Sequence, residues 1–105
     1  MEAEVLIDGK TLTFAVSRPD MSDPKYNLLG CPGCCFNLGG GFCSFTSNAP
    51  CNTLIRKIID LSNIDGSIFG EGFYYRFKKC DRTVSEEESE ANIKRLALFT
   101  KLETL

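Results

Sequence analysis

Six cysteines stand in a 105-residue chain that has no histidine and no tryptophan. Four of them fall within "CPGCCFNLGGGFC", residues 31–43. Cys31 and Cys34 form a C-x-x-C pair, Cys43 and Cys51 follow at wider spacing, Cys35 adjoins Cys34, and Cys80 lies far downstream. A C-x-x-C turn aims two sulfurs at one ion, and Pro32-Gly33 suits such a turn because proline presets φ and glycine accepts the conformation after it. With no histidine to contribute, zinc would take four thiolates at about 2.3 Å, and Cys31, Cys34, Cys43 and Cys51 are the natural set. Backbone N–H groups of the glycine-rich run 38–41 could offset the surplus negative charge on the sulfurs. A site closed in this way is structural: one zinc per chain orders a loop-rich stretch and leaves no position open to substrate.

Three other chemistries compete for the same thiols. Disulfides require an oxidising compartment. A thiol redox pair would follow a strand and open a helix, whereas glycine-rich sequence follows here. An iron–sulfur cluster could use four cysteines, but the spacing matches neither common ferredoxin run. Cys35 and Cys80 are read as small buried apolar side chains.

The absence of histidine excludes Ser or Cys nucleophiles activated by it. No Ser–Lys or carboxylate pair stands out by spacing, so the expectation is a protein that binds without turnover. Net charge is −2, which disfavours nucleic acid and anionic membranes as partners. No window reaches the roughly eighteen apolar residues of a membrane span. The start "MEAEVLIDGK" is acidic and has no apolar signal region, so a cytoplasmic location is expected.

The elements that must position the cysteines read as one α+β domain, β-rich over residues 4–79 and helical over 85–102. In "EVLIDGKTLTFAV", Asp8-Gly9 is a two-residue hairpin turn, and Leu12, Phe14 and Val16 alternate with polar residues. Residues 17–30 read as a loop. Leu54, Ile55, Ile58, Ile59 and Leu61 recur at helical spacing within 52–62. The stretch 64–80 reads as a second hairpin, with Phe73, Tyr75 and Phe77 on one face and Tyr74, Arg76 and Lys78 on the other. Ser85 with Glu88 three residues on makes a capping box, and Glu86–Glu88 suit the positive end of a helix dipole. The expected architecture is a small antiparallel sheet from two hairpins, a zinc-stapled cysteine region and a C-terminal helix.

Two surfaces are candidates for binding. Tyr74, Arg76 and Lys78 could stack on bases and meet phosphates, although a solvated outer strand face explains them as well. On the C-terminal helix, Ile93, Leu96, Ala97, Phe99 and Leu102 cover more than half a turn and Leu98 occupies the rest. Either that helix is wedged deep in its own fold, or Leu98 and Leu102 meet another chain, a second copy or a protein partner.

The chain also resembles a loose group of small, cysteine-rich proteins of bacterial phages and mobile elements. Asp8, Gly9, Lys10 and Thr11 match the group's N-terminal hairpin; Cys31, Cys34 and Phe36 match its C-x-x-C-x-F motif. Cys43, Cys51, Asp65, Gly66 and Phe69 match its later cysteines and Asp-Gly strand. The likeness spans about residues 4–78, leaving the C-terminal helix outside it. It implies a viral or mobile-element source and a cytoplasmic site of action, not an activity; with such a source, the concrete version of the binding reading is an inhibitor of a host process such as defence. The alternatives are an oligomer that sequesters a small anionic ligand and a thiol redox protein.

Overall fold

A computed structural model of the protein describes residues 1–18, 34–39, 42–43 and 50–104. Its elements are β1 (Glu2–Ile7), β2 (Lys10–Ser17), β3 (Asn37–Gly39), β4 (Phe42–Cys43), α1 (Pro50–Ser62), α2 (Ile68–Glu71), β5 (Tyr74–Lys79) and α3 (Glu86–Glu103). The main sheet is antiparallel in the order β1-β2-β5, and β3 and β4 form a separate two-stranded sheet. The architecture is α+β with a C-terminal helix, as expected.

The first hairpin turns on Asp8 and Gly9, whose φ angles are 51° and 77°. Both central residues thus adopt the left-handed conformation that matches the strands' twist in a type I′ turn. Register then sorts the side chains. Ala3 and Val5 lie beside Phe14 and Leu12, and Phe14 and Val16 lie beside Phe77 and Tyr75, so all share the inner face. Phe14, Phe77, Val5 and Val16 are fully buried there together with Ile58 of α1 and Leu96 of α3. The rings of Phe14 and Phe77 meet edge to face at 5.2 Å, the geometry that an aromatic quadrupole favours.

The hairpin expected over 64–80 does not form. The segment leading to Asp65 is helix α1, which ends at Ser62, so β5 has no strand on that side to pair with; it pairs with β2 instead. Asp65-Gly66 also does different work. Asp65 Oδ1 accepts from the Ser67 N–H at 3.0 Å, and the Phe69 N–H donates to the Gly66 carbonyl at 3.2 Å. This bends the chain into the short α2 instead of reversing a strand.

α1 begins at Pro50, two residues ahead of the expected start, because proline at the first helical position has no N–H left unpaired. It ends at Asn63, whose φ of 56° and N–H bond to the Ile59 carbonyl make a left-handed cap. α3 begins at Ser85, whose side chain accepts from the Glu88 N–H at 3.1 Å. At its far end Arg18 donates to the Glu103 carbonyl, placing a cation at the negative end of the dipole. α3 is not wedged in on every side. It buries Ser89, Asn92, Ile93, Leu96, Ala97 and Thr100, while Leu98 and Leu102 remain 57% and 59% exposed. The loop expected over 17–30 lies, beyond Arg18, outside the described residues.

Candidate functional site

The cysteine segment docks on the open edge of β5. The Cys35 N–H donates to the Phe77 carbonyl at 2.9 Å, and the Phe36 ring meets Phe77 edge-on at 6.1 Å. Cys34, Cys35 and Phe36 pack against the core, as does Cys51 in the first turn of α1. Of the four expected ligands, Cys31 lies outside the described residues and Cys43 is described as backbone in β4. Among the described residues no three Cys, Asp or Glu side chains gather as a metal site would require. Cys34 and Cys51, the two expected ligands whose side chains are described, are half-buried thiols.

Cys35 and Cys80 depart from the expectation of burial. Both are only half-buried, and they line one cavity of about 520 Å³ with Lys10, Leu12, Phe36 and Lys79. The cavity opens where the inner face of the sheet runs out. Two steps beyond Phe14 and Leu12 on β2 comes Lys10, and two steps beyond Phe77 on β5 comes Lys79, which register sets beside Leu12. Burial pushes the Cys35 thiol above the ordinary thiol value; the neighbouring Cys34 adds to this and the Lys79 ammonium opposes it. The Cys35 thiol therefore stays protonated at neutral pH, which does not fit a low-pKa redox nucleophile. A wall of this kind was readable from period-two alternation counted outward from Phe14 and Phe77, once the pairing of β2 with β5 is known.

On the outer face of β5, Tyr74, Arg76 and Lys78 lie beside Ser17, Ala15 and Thr13. All three are half-buried. Lys78 is paired with Glu2, and that hydrogen bond holds the Glu2 carboxyl below its ordinary value. Arg82 reaches Glu4 at 3.3 Å and Glu88 at 2.6 Å. Lys78 and Arg82 thus already face carboxylates of the same chain, whereas the buried Arg76 Nε has no hydrogen-bond partner among the described residues. A polyanion would have to compete with those carboxylates, which weakens the nucleic-acid reading.

The third surface is built by both long helices. Leu61 of α1 is 51% exposed and borders a shallow cavity of about 240 Å³ with Leu98, Lys94 and Lys101 of α3. Along α3 the exposed residues Glu87, Ala91, Lys94, Leu98 and Lys101 fall at alternating spacings of four and three, one straight seam on a helix. The seam is acidic at its N-terminal end and basic at its C-terminal end. Compared with known proteins, the chain matches no family model, no curated protein sequence and no solved structure. The functional reading therefore rests on these residues themselves.

Proposed function

We propose that the chain is a non-catalytic binding domain that works as a dimer, two copies pairing antiparallel through α3. The observation that carries this reading is the charge polarity of the exposed seam around Leu98. Antiparallel pairing sets Glu87 of one copy opposite Lys101 of the other and seats Leu98 against the small Ala91. Parallel pairing would set Glu87, Lys94 and Lys101 each against its own like, whereas antiparallel pairing keeps that repulsion at Lys94 alone. Leu61 and Leu102 flank the seam and widen its apolar area. Exposed leucines gathered on one face favour a macromolecular partner over isolated surface residues. A protein target seated on this face in place of the second copy is the form that the resemblance to phage proteins suggests, acting by occupying a site on a host protein.

The same reading keeps the structural zinc, held by Cys31, Cys34, Cys43 and Cys51. It is supported by the placement of Cys34 and Cys51 on segments that flank the β3–β4 pair carrying Cys43. Zinc would tie the cysteine segment to α1 without any catalytic part.

Native mass spectrometry of protein made in a reducing cytoplasm tests both halves. At about 100 μM the expected species is twice 11.6 kDa plus one zinc per chain, with six free thiols after denaturation. Leu98→Glu should leave monomer. Lys101→Glu should weaken the dimer, and adding Glu87→Lys to it should restore the dimer. A wild-type monomer at that concentration overturns the dimer, and a dimer indifferent to Leu98→Glu overturns its pairing through α3. A mass two hydrogens short per bridge replaces zinc with disulfides.

A further inference from the structure

The cavity at the end of the main sheet is separate from the α3 seam, and what it could hold does not depend on dimerisation. Its volume of about 520 Å³ falls within the range of small-molecule sites, roughly 300–1,000 Å³. Its walls combine two chemistries. Leu12, Phe36 and the half-buried Cys35 and Cys80 supply apolar and polarizable surface, suited to a flat hydrocarbon body. Lys10 and Lys79 stand at the same wall, on the sheet face that elsewhere carries only the apolar side chains of the core and Tyr75. The described lining contains no aspartate or glutamate, in a chain whose net charge is −2. Two lysines thus share the wall of one cavity in a chain of net negative charge.

The wall is also held in place. The Cys35 N–H bond to Phe77 and the edge contact of Phe36 with the same ring fix one side of the cavity to β5. The pairing of Leu12 with Lys79 fixes the other. A site positioned by a sheet on one side and an anchored turn on the other needs little rearrangement to receive a ligand.

We infer that this cavity binds a small organic anion, a carboxylate or phosphate on a flat apolar body, with the head group between Lys10 and Lys79 and the body against Phe36 and Leu12. The lysines recognise charge, and the ring and leucine recognise the body, so neither half alone makes a good ligand. A head group meeting two ammoniums forms charge-assisted hydrogen bonds, each strong enough to change affinity by about tenfold.

The test is a titration of the full chain followed by backbone amide resonances, with phenyl phosphate and benzoate as probes. Inorganic phosphate supplies the charge without the ring, and benzyl alcohol the ring without the charge. Saturable shifts are expected at residues 10–12, 35–36 and 79–80, with at least one ring-bearing anion binding about tenfold tighter than either control. Which of the two binds better identifies the head group. Lys10→Met with Lys79→Met should weaken the anion about tenfold or more while leaving benzyl alcohol unchanged. If that double variant does not fold, Lys79→Gln alone gives the same reading with a smaller loss. Overturning results are no saturable shift at those amides below about 10 mM, either control binding as well as the ring-bearing anions, or affinity that survives loss of the lysine charge.

Discussion

The two edges of the main sheet are finished by different means. Along β1, the Leu6 N–H donates to Ser89 Oγ at 2.8 Å, and the Glu4 carbonyl accepts from Asn92 Nδ2 at 2.7 Å. Both side chains come from one face of α3, three residues apart, and both are buried there. Along β5, the described covering is one backbone bond from Cys35 and the edge of the Phe36 ring. An uncovered edge is a template for unwanted pairing, so each side needs a cover. A long capped helix closes its edge with polar side chains and is itself anchored by its apolar row. The cysteine turn is held by the packing of only Cys34, Cys35 and Phe36 among its described residues. It is on this second side that an ion or a ligand would add most order, and the zinc reading and the cavity both belong to it.

The largest effect should come from Phe77→Ala, because Phe77 joins the two sides: its ring packs on Phe14 and Phe36 and its carbonyl holds Cys35. Truncating a fully buried phenylalanine costs about 3–5 kcal/mol, measured as a fall in the urea midpoint. The Cys35 amide should lose hydrogen-exchange protection in the same variant. A loss under about 1.5 kcal/mol would mean that Phe77 is not the hub proposed.

Next comes Asn92→Ala, which leaves the Glu4 carbonyl without its partner from α3 at a cost of about 1–3 kcal/mol. It should expose the β1 edge, raising exchange at Leu6, and leave the Cys35 amide unchanged. Equal loss of protection on both edges would erase the distinction between them.

The smallest effect concerns the outer face, where Glu2 of β1 reaches over β2 to Lys78 of β5. The hydrogen bond from Lys78 holds the native pKa of Glu2 below the ordinary carboxylate value. The sign follows: the pair's contribution is complete above the unfolded carboxylate value and is lost as pH falls through the native one. Both partners are well exposed, so the contribution stays under about 1 kcal/mol. Lys78→Met should therefore narrow the gap in stability between pH 6 and pH 3, measured by urea unfolding at each pH. An identical gap in wild type and variant would remove this tie between the edge strands.

What was legible in the chain follows from the reach of each signal. The turn at Asp8-Gly9, the alternation of β2 and the cap at Ser85 each depend on residues within a few positions of one another, and each appears where the pattern places it. Pro50 was an equally local signal and marks the true start of α1. Asp65-Gly66 shows the limit, since the same dipeptide that closes a hairpin at residues 8–9 opens a helical turn at 65–66. The difference lies in what precedes it, a strand in one case and a helix in the other.

The sequence by itself determined the first hairpin, the two long helices, the apolar rows that form the core, and the absence of any histidine-dependent chemistry. Those are consequences of local backbone preference, side-chain period and composition. Only the tertiary structure decided that β5 joins β2, because strand pairing is a competition among distant segments. From that one pairing follow the inward placement of Lys79, the dock for Cys35 and Phe36, and the cavity between them. Likewise Ser89 and Asn92 are ordinary polar residues in the helix read alone. They become buried partners only when α3 lies along β1, whose edge groups must otherwise go without hydrogen bonds.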